Sequence, residues 1–433
     1  MLLGVFEVGG IKEFVKLYEE VPGVAGHIDV CIRELNGRYE VRINITQSPR
    51  FFELSLRNRR VDEVPIVTSR ICGVCSMAHL LGSIIALEKA LGIDMGENVA
   101  RLRRVAEAVG IIQNNLVHVL VALPDYLGLR NLIELAKTEP AVVREFLKLN
   151  TDVLRAYRGI AGRFTHSHVI DVGYQGKLVT KYDLEKAAKL LRSVGQRARK
   201  LLAELAGKWR NIEFEDPSLN YLTVGTKEYP IIGDVIAASN GRVFPADKYA
   251  EFIKEEEVRY SNAKYCTYGE SPYFVGSRAR VLRNYRDLVN EVGDCVSQLG
   301  LNLKNPFDNV KAQLIEAIYL AGVVERELAE LAAIVGSGIK LYDLSKLQGS
   351  GEAVSAVEAP RGLLIHHYRV AEGRLIAANI ITPTVMNSKH MEVCCGELIN
   401  KLSSEGVDGV EYLRNYAAVL IRSYDPCLPC AVH

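Results

Sequence analysis

The chain has 433 residues and a mass of 48.0 kDa, with 48% apolar and 24% charged residues. That composition is ordinary for a globular protein and excludes a disordered or collagen-like chain. Lys and Arg number 53 against 52 Asp and Glu, a net charge of +1, so nucleic acid is not expected as a partner. No run approaches ~18 consecutive apolar residues, so no membrane span is expected.

The first ten residues, MLLGVFEVGG, carry no basic segment or cleavage signal, and a cytoplasmic location is the expectation. Ile28, Val30 and Ile32 alternate before Asn36-Gly37, and Val41, Ile43 and Ile45 alternate after it, which predicts a β-hairpin over about 28–46. Met77, Leu80, Leu81, Ile84, Ile85 and Leu91 then recur at helical spacing, so Arg70 to His79 leads into a helix. Long helical patterns follow at about 98–122, 140–160, 182–206, 278–299 and 308–335, enough for a central bundle. The uncharged run Ala108 to Pro124 holds Gln113, Asn114, Asn115 and His118 and reads as a buried helix. Residues 210–246 read as an irregular insertion of turns and short strands. A second hairpin is predicted at 363–381, turning at Glu372-Gly373, and a last helix at about 408–422. No Pro/Gly/Ser linker divides the chain. The expectation is one large domain over 1–433, mainly α with small β excursions (α+β).

Nine cysteines in a chain without a signal do not suggest a disulfide framework. Four form two CxxC pairs: Arg70-Ile-Cys72-Gly-Val-Cys75-Ser-Met-Ala-His79, and Asp425-Pro-Cys427-Leu-Pro-Cys430-Ala-Val-His433. Two-residue spacing lets both sulfurs face one ion, and a following helix N-terminus stabilises thiolate charge. Four thiolates suit zinc, an iron–sulfur cluster or nickel. A structural zinc site is the plainest alternative, although residues 76–426 lie between the pairs and zinc modules usually close short loops. A redox dithiol is disfavoured because no βαβ pattern surrounds either pair.

The two pairs, with Glu358-Ala-Pro-Arg-Gly362, Thr382-Pro-Thr-Val-Met-Asn387 and Ser48-Pro-Arg-Phe-Phe-Glu53 between or before them, resemble the large subunit of nickel–iron hydrogenases along essentially the whole chain. The wording is most similar to the cytoplasmic, cofactor-coupled branch. The resemblance implies reversible heterolytic cleavage of dihydrogen at a nickel–iron centre with carbon monoxide and cyanide on iron. Cys72 and Cys427 would bind nickel terminally, and Cys75 and Cys430 would bridge the two metals. Cys427 would accept the proton. Arg361 would face the open metal position with Asp425 fixing its aim; Pro360 and Thr384 would surround the cyanides; His79 would reach a bridging sulfur. A magnesium-like ion would be held by Glu53, the Ile380 carbonyl and His433. Two departures stand out. Ala25 occupies the place of a proton-carrying glutamate, with His27 and Glu53 as candidate replacements, and Asn114 aligns where many relatives have an aspartate.

The five remaining cysteines, with Cys394 and Cys395 adjacent, form no iron–sulfur motif. The resemblance therefore implies an iron–sulfur small subunit docked near Cys72 and Cys430, further electron-transfer subunits, and a maturation protease and accessory proteins that process a C-terminal extension. The rival from another functional class is a non-catalytic, hydrogenase-like scaffold holding a four-cysteine zinc.

Overall fold

A computed structural model describes residues 5–8, 11–19, 26, 28–176, 179–226, 229–335, 340–407 and 409–433. Ala25 and His27 lie outside the described residues.

Four long helices form the central bundle. Glu97–Leu127 packs on Asn309–Ile334 and Pro140–Ala161, and Lys181–Ala206 packs on the latter two. Each matches a stretch of helical spacing in the sequence. The helix Glu97–Leu127 is long and apolar enough to cross a membrane by length and composition, yet 83% of its most apolar window is buried within the fold. Its buried face carries Gln113, Asn114, Asn115 and His118, each hydrogen-bonded to a side chain from another segment. Thr180 and Asp183 form a reciprocal capping box that starts Lys181–Ala206.

The single helix expected over 278–299 is two, Ser277–Arg283 and Tyr285–Leu299. Asn284 breaks it: its backbone leaves helical geometry and its side chain donates to the Arg280 carbonyl, the usual competition of Asn with a helix.

The hairpin at Asn36-Gly37 joins Ile28–Leu35 to Arg38–Ile45, and the described residues extend it to a four-stranded antiparallel sheet with Val5–Val8 and Ile11–Glu19. The second hairpin, Gly362–Ala371 with Arg374–Ile381, also has further partners, the strands Gly351–Ala359 and Ile232–Gly233. In that sheet Ala359 pairs with Gly362, which leaves Pro360 and Arg361 as a two-residue turn. The helix Ser76–Leu91 lies against the sheet so closely that a Cβ at Gly82 would sit 2.9 Å from the His366 ring. A helix not expected from the sequence, Pro383–Ser404, starts with proline in its first turn and packs on Arg38–Ile45.

Candidate metal centre

Each CxxC pair straddles the start of a helix. Cys75 precedes Ser76–Leu91, and Cys427 precedes the short helix Leu428–Ala431. The two helix starts meet. Cys75 Sγ lies 3.4 Å from Cys430 Sγ, Cys427 Sγ lies 3.4 Å from Cys72 Sγ, and all four sulfurs fall within 4.8 Å of one another. All four side chains are buried. Arg50 ties the two loops together: its guanidinium donates to the carbonyls of Ile71 (2.6 Å), Arg70 (3.1 Å) and Pro429 (3.2 Å), and its backbone N–H to Val432 (2.7 Å).

Four thiols this close cannot all ionise unaided. Hydrogen bonds from Cys427 and its neighbours hold Cys72 well below the usual thiol range. Cys75 is pushed well above it, chiefly by Cys427, and Cys430 chiefly by burial. Only a cation of matching softness brings four buried thiolates to rest together, so the donor set fits a soft or borderline metal.

The Pro360-Arg361 turn delivers one guanidinium to this cluster. Arg361 Nε donates to the Asp425 carbonyl (2.6 Å) and carboxylate (3.0 Å), and Nη2 lies 2.8 Å from the same carboxylate. Its Nη1 is buried with no hydrogen-bond partner. Asp425 and the thiols of Cys427, Cys72 and Cys75 raise the Arg361 pKa despite burial, so its charge is permanent. Asp425 sits at φ +53°, in left-handed geometry that turns its carboxylate back toward Arg361. Its other oxygen accepts from Asn114 Nδ2 (2.8 Å) and Gln313 Nε2 (3.2 Å). Thr384 Oγ1 accepts the Cys427 N–H at 2.9 Å, and Thr382 Oγ1 donates to the Cys430 carbonyl at 3.1 Å. The Pro360 carbonyl accepts from Arg280 at 3.0 Å.

His79 is buried one helical turn beyond Cys75, and its Nδ1 lies 3.3 Å from His366 Nε2, with His366 Nδ1 2.6 Å from the Tyr368 hydroxyl. Burial pushes the His79 pKa down to about 3, so this ring is neutral. Glu53, Ile380 and His433 are also brought together. Glu53 Oε1 accepts the Ile380 N–H at 2.7 Å and lies 3.8 Å from His433 Nε2, while His433 Nδ1 is 2.6 Å from the Cys430 carbonyl. Burial alone would raise the Glu53 pKa, but His433 and the Ile380 N–H outweigh it and hold the carboxyl below its usual range. The contact to Ile380 runs through its N–H.

Residues 50–191 and 237–433 match the nickel-dependent hydrogenase family. The chain belongs to that family. Sulfhydrogenase 1 subunit alpha of Pyrococcus furiosus is 33% identical over 414 residues, covering 94% of this chain and 95% of that protein. Sulfhydrogenase 2 subunit alpha of the same organism is 32% identical over 397 residues, covering 91% and 92%. Among solved structures, an NAD+-reducing NiFe hydrogenase in its H2-reduced state matches with a TM-score of 0.82 at 22% identity, over 98% of this chain and 100% of that one. The Ni-Fe-Se hydrogenase of D. vulgaris Hildenborough matches with a TM-score of 0.78 at 21% identity, over 98% and 100%. At those identities the structural likeness shows the fold. Family membership places the chain among the oxidoreductases that act on dihydrogen, as a large subunit.

Sequence reasoning missed several groups of this hydrogenase chain. Arg50 lay inside the Ser48–Glu53 signature, which was its available signal. His366, Gln313 and Arg280 had none, because their partners come from distant segments. A second buried Cys/His/Asp group also escaped it: Asp216, His390 and Cys394 lie within 4.8 Å of one another by their donor atoms. Its charges are paired internally. His390 Nε2 and Arg278 Nη2 lie 3.1 and 2.6 Å from the Asp216 carboxylate, and Tyr424 OH lies 2.7 Å from His390 Nδ1. Burial opposes both charges, but Cys394 and Asp216 together raise His390 to about 9, and His390 and Arg278 lower Asp216 to about 2.

The pairing has a signed pH dependence. The His390 contribution to stability is full below ~6.5 and is lost as pH rises through about 9. That of Asp216 is full above ~4 and is lost as pH falls through about 2. His390→Gln leaves the Asp216–Arg278 pair but removes one buried charge, and is expected to cost ~3–5 kcal/mol at pH 6. Denaturant titrations from pH 6 to 9 should show the difference between parent and variant shrinking; a constant difference would mean that His390 is uncharged.

Proposed function

We propose that this chain is the catalytic subunit of a nickel–iron hydrogenase that reversibly cleaves dihydrogen to protons and electrons. One observation carries the reading: four buried sulfurs gathered within 4.8 Å, beside a permanently charged guanidinium whose Nη1 is buried and has no partner. The group such a donor set holds is a nickel–iron pair with carbon monoxide and cyanide on iron, and the chemistry it supplies is heterolytic cleavage of dihydrogen. Cys72 and Cys427 would hold the nickel terminally, and Cys75 and Cys430 would be shared between the two metals. The observed pairing of Cys75 with Cys430 and of Cys72 with Cys427 supports that division. Cys427 Sγ would take the proton. Its backbone is held by Thr384, so the sulfur that must gain and lose a proton does not wander. Asp425 grips Arg361 at Nε and Nη2, which leaves Nη1 to face the reacting position. Glu53, His433 and the Ile380 carbonyl would hold a magnesium-like ion, with Glu53 exchanging its bond to the Ile380 N–H for the ion.

Electrons leave to an iron–sulfur small subunit. A cavity of about 510 Å³, lined by Gln47, Arg50, Arg70, Cys72, Val74 and Pro429 among others, opens beside Cys72. Val74 is 41% exposed and Phe51, next to Arg50, is 63% exposed, which gives this side an apolar margin suited to a protein partner.

Elemental analysis of protein matured with its accessory proteins is expected to find nickel and iron in similar amounts, with infrared bands from carbon monoxide and cyanide. Zinc alone, without such bands, would replace this reading with a zinc-stapled scaffold.

A further inference from the structure

A second set of buried charges involves the helices Glu97–Leu127, Ser277–Arg283 and Asn309–Ile334 and the strand Gly351–Ala359, and touches the Pro360-Arg361 turn. Arg280, fully buried, spans two fully buried carboxylates. Its Nε and Nη2 meet Glu316 at 2.6 and 2.9 Å, and its Nη1 meets Glu358 at 3.0 Å. The same guanidinium donates to the carbonyls of Ala359 (3.1 Å) and Pro360 (3.0 Å) and to Ser277 Oγ (3.1 Å). Glu107 is the third carboxyl, buried and with an Oε2 that has no partner.

The remaining groups facing the cluster are neutral. Glu316 also accepts from Ser277 Oγ (2.6 Å), Asn115 Nδ2 (2.7 Å) and the Tyr229 hydroxyl (2.5 Å), and Glu358 accepts the Val224 N–H at 2.8 Å. The Tyr157 hydroxyl, from the helix Pro140–Ala161, is near enough to feel the Glu107 charge. Two carboxyls thus share one guanidinium, and the third, Glu107, feels its charge without bonding to it. Unpaired buried carboxylates are too costly to keep, so the set retains exchangeable protons at neutral pH. Burial raises Glu107 to about 8 and Glu358 to about 7, whereas the two-point grip of Arg280 outweighs burial and keeps Glu316 low.

The cluster reaches in both directions. Outward, Tyr229 lines a cavity of about 460 Å³ open to solvent, whose walls carry Asp287, Glu291, Glu327 and Glu330 together with Arg104 and Arg326. Inward, Arg280 holds the two residues that precede Arg361. Asn115, bonded to Glu316, follows Asn114, which is bonded to Asp425.

We propose that Glu107, Glu316 and Glu358, organised by Arg280, form a proton relay that takes the proton released at the sulfurs and delivers it through Tyr229 to the solvent cavity. The relay rests on the hydrogenase reading above. In the outer step, Glu316, ionised at rest, takes up an arriving proton; the Tyr229 hydroxyl, which donates to it at rest, turns to the cavity, and the proton passes to the phenol oxygen while the phenol hydrogen passes to water. The tyrosine keeps its charge, Glu316 returns to carboxylate, and no electron moves. The inner step crosses the amides of Asn114, Asn115 and Gln313, which do not titrate, and runs through water.

Two conservative variants test it. Tyr229→Phe removes one hydroxyl, and Glu107→Gln keeps the side-chain shape. In the nickel-loaded enzyme with its partner subunits, each is expected to lower turnover with an electron acceptor by at least about tenfold, with a larger solvent isotope effect and unchanged nickel content. In metal-free protein, infrared titration should show a protonated-carboxyl band with a midpoint near pH 8, absent from Glu107→Gln. Parental turnover, isotope effect and pH profile in both variants would overturn the relay and leave the hydrogenase reading standing, as would absence of the band in the parent. A parent that matures without nickel would remove the hydrogenase reading and the relay with it.

Discussion

Cys75→Ser is expected to yield a folded chain that retains less than a tenth of the parental nickel and no measurable dihydrogen oxidation. Serine is nearly the same size, so the packing loss at this site is small; core substitutions that leave volume almost unchanged usually cost under ~1.5 kcal/mol. What changes is the donor. A thiol gives up its proton to a metal at neutral pH, whereas a serine hydroxyl remains protonated and presents hard oxygen to soft ions. Cys75 Sγ is 3.4 Å from Cys430 Sγ, so its loss removes one of two closely facing sulfurs and leaves the cluster three donors. Elemental analysis after maturation reads the metal, and circular dichroism of the same sample reads the fold. Full nickel occupancy in Cys75→Ser would rule Cys75 out as a ligand.

The second large effect is kinetic. Arg361→Lys is expected to lower dihydrogen oxidation by about 10²–10³-fold with nickel content intact, the range for removing one preorganised polar group from an active site. Charge is conserved, so a purely coulombic role predicts little change. The guanidinium uses Nε and Nη2 on Asp425 and keeps Nη1 in reserve. An ammonium has its donors on a single atom and cannot grip that carboxylate in the same fork while presenting a further N–H elsewhere. Dihydrogen-dependent dye reduction normalised to nickel measures the effect. Turnover equal to the parent in a fully metallated variant would show that Arg361 only neutralises charge.

The long helices were legible because one face of each meets the core, which writes a 3.6-residue period into the chain. The helix Pro383–Ser404 was not, because it is enclosed: Asn387, Ser388, His390 and Glu392 are buried alongside Met386, Met391 and Leu398, and the period dissolves. The strand Gly351–Ala359 failed to register for the same reason. Its last six residues are buried whichever face they point to, so they show no alternation. Without that strand, nothing in the sequence marked the Glu358–Gly362 signature as part of a hairpin, whose tight turn is its Pro360-Arg361 step. The cysteine spacing exposed the donor atoms, since a CxxC pair is local. Arg50, which holds both loops, and Arg280, which binds two carboxylates from separate segments, depend on partners that only the folded chain brings near.

The two halves of the cysteine cluster lie at opposite ends of the chain, with residues 76–426 between them. Closing so long a loop costs only about 2–3 kcal/mol more than closing one of ~20 residues, because the entropy grows with the logarithm of length. The separation is therefore thermodynamically cheap, and it gives the centre the logic of a coincidence detector. A short zinc knuckle reports that a few neighbouring residues are in place. Four sulfurs gathered from both ends report that the sheet, the bundle and the terminal segment have all been assembled, so a chain stalled at any intermediate stage has no complete socket in which a reactive metal can lodge.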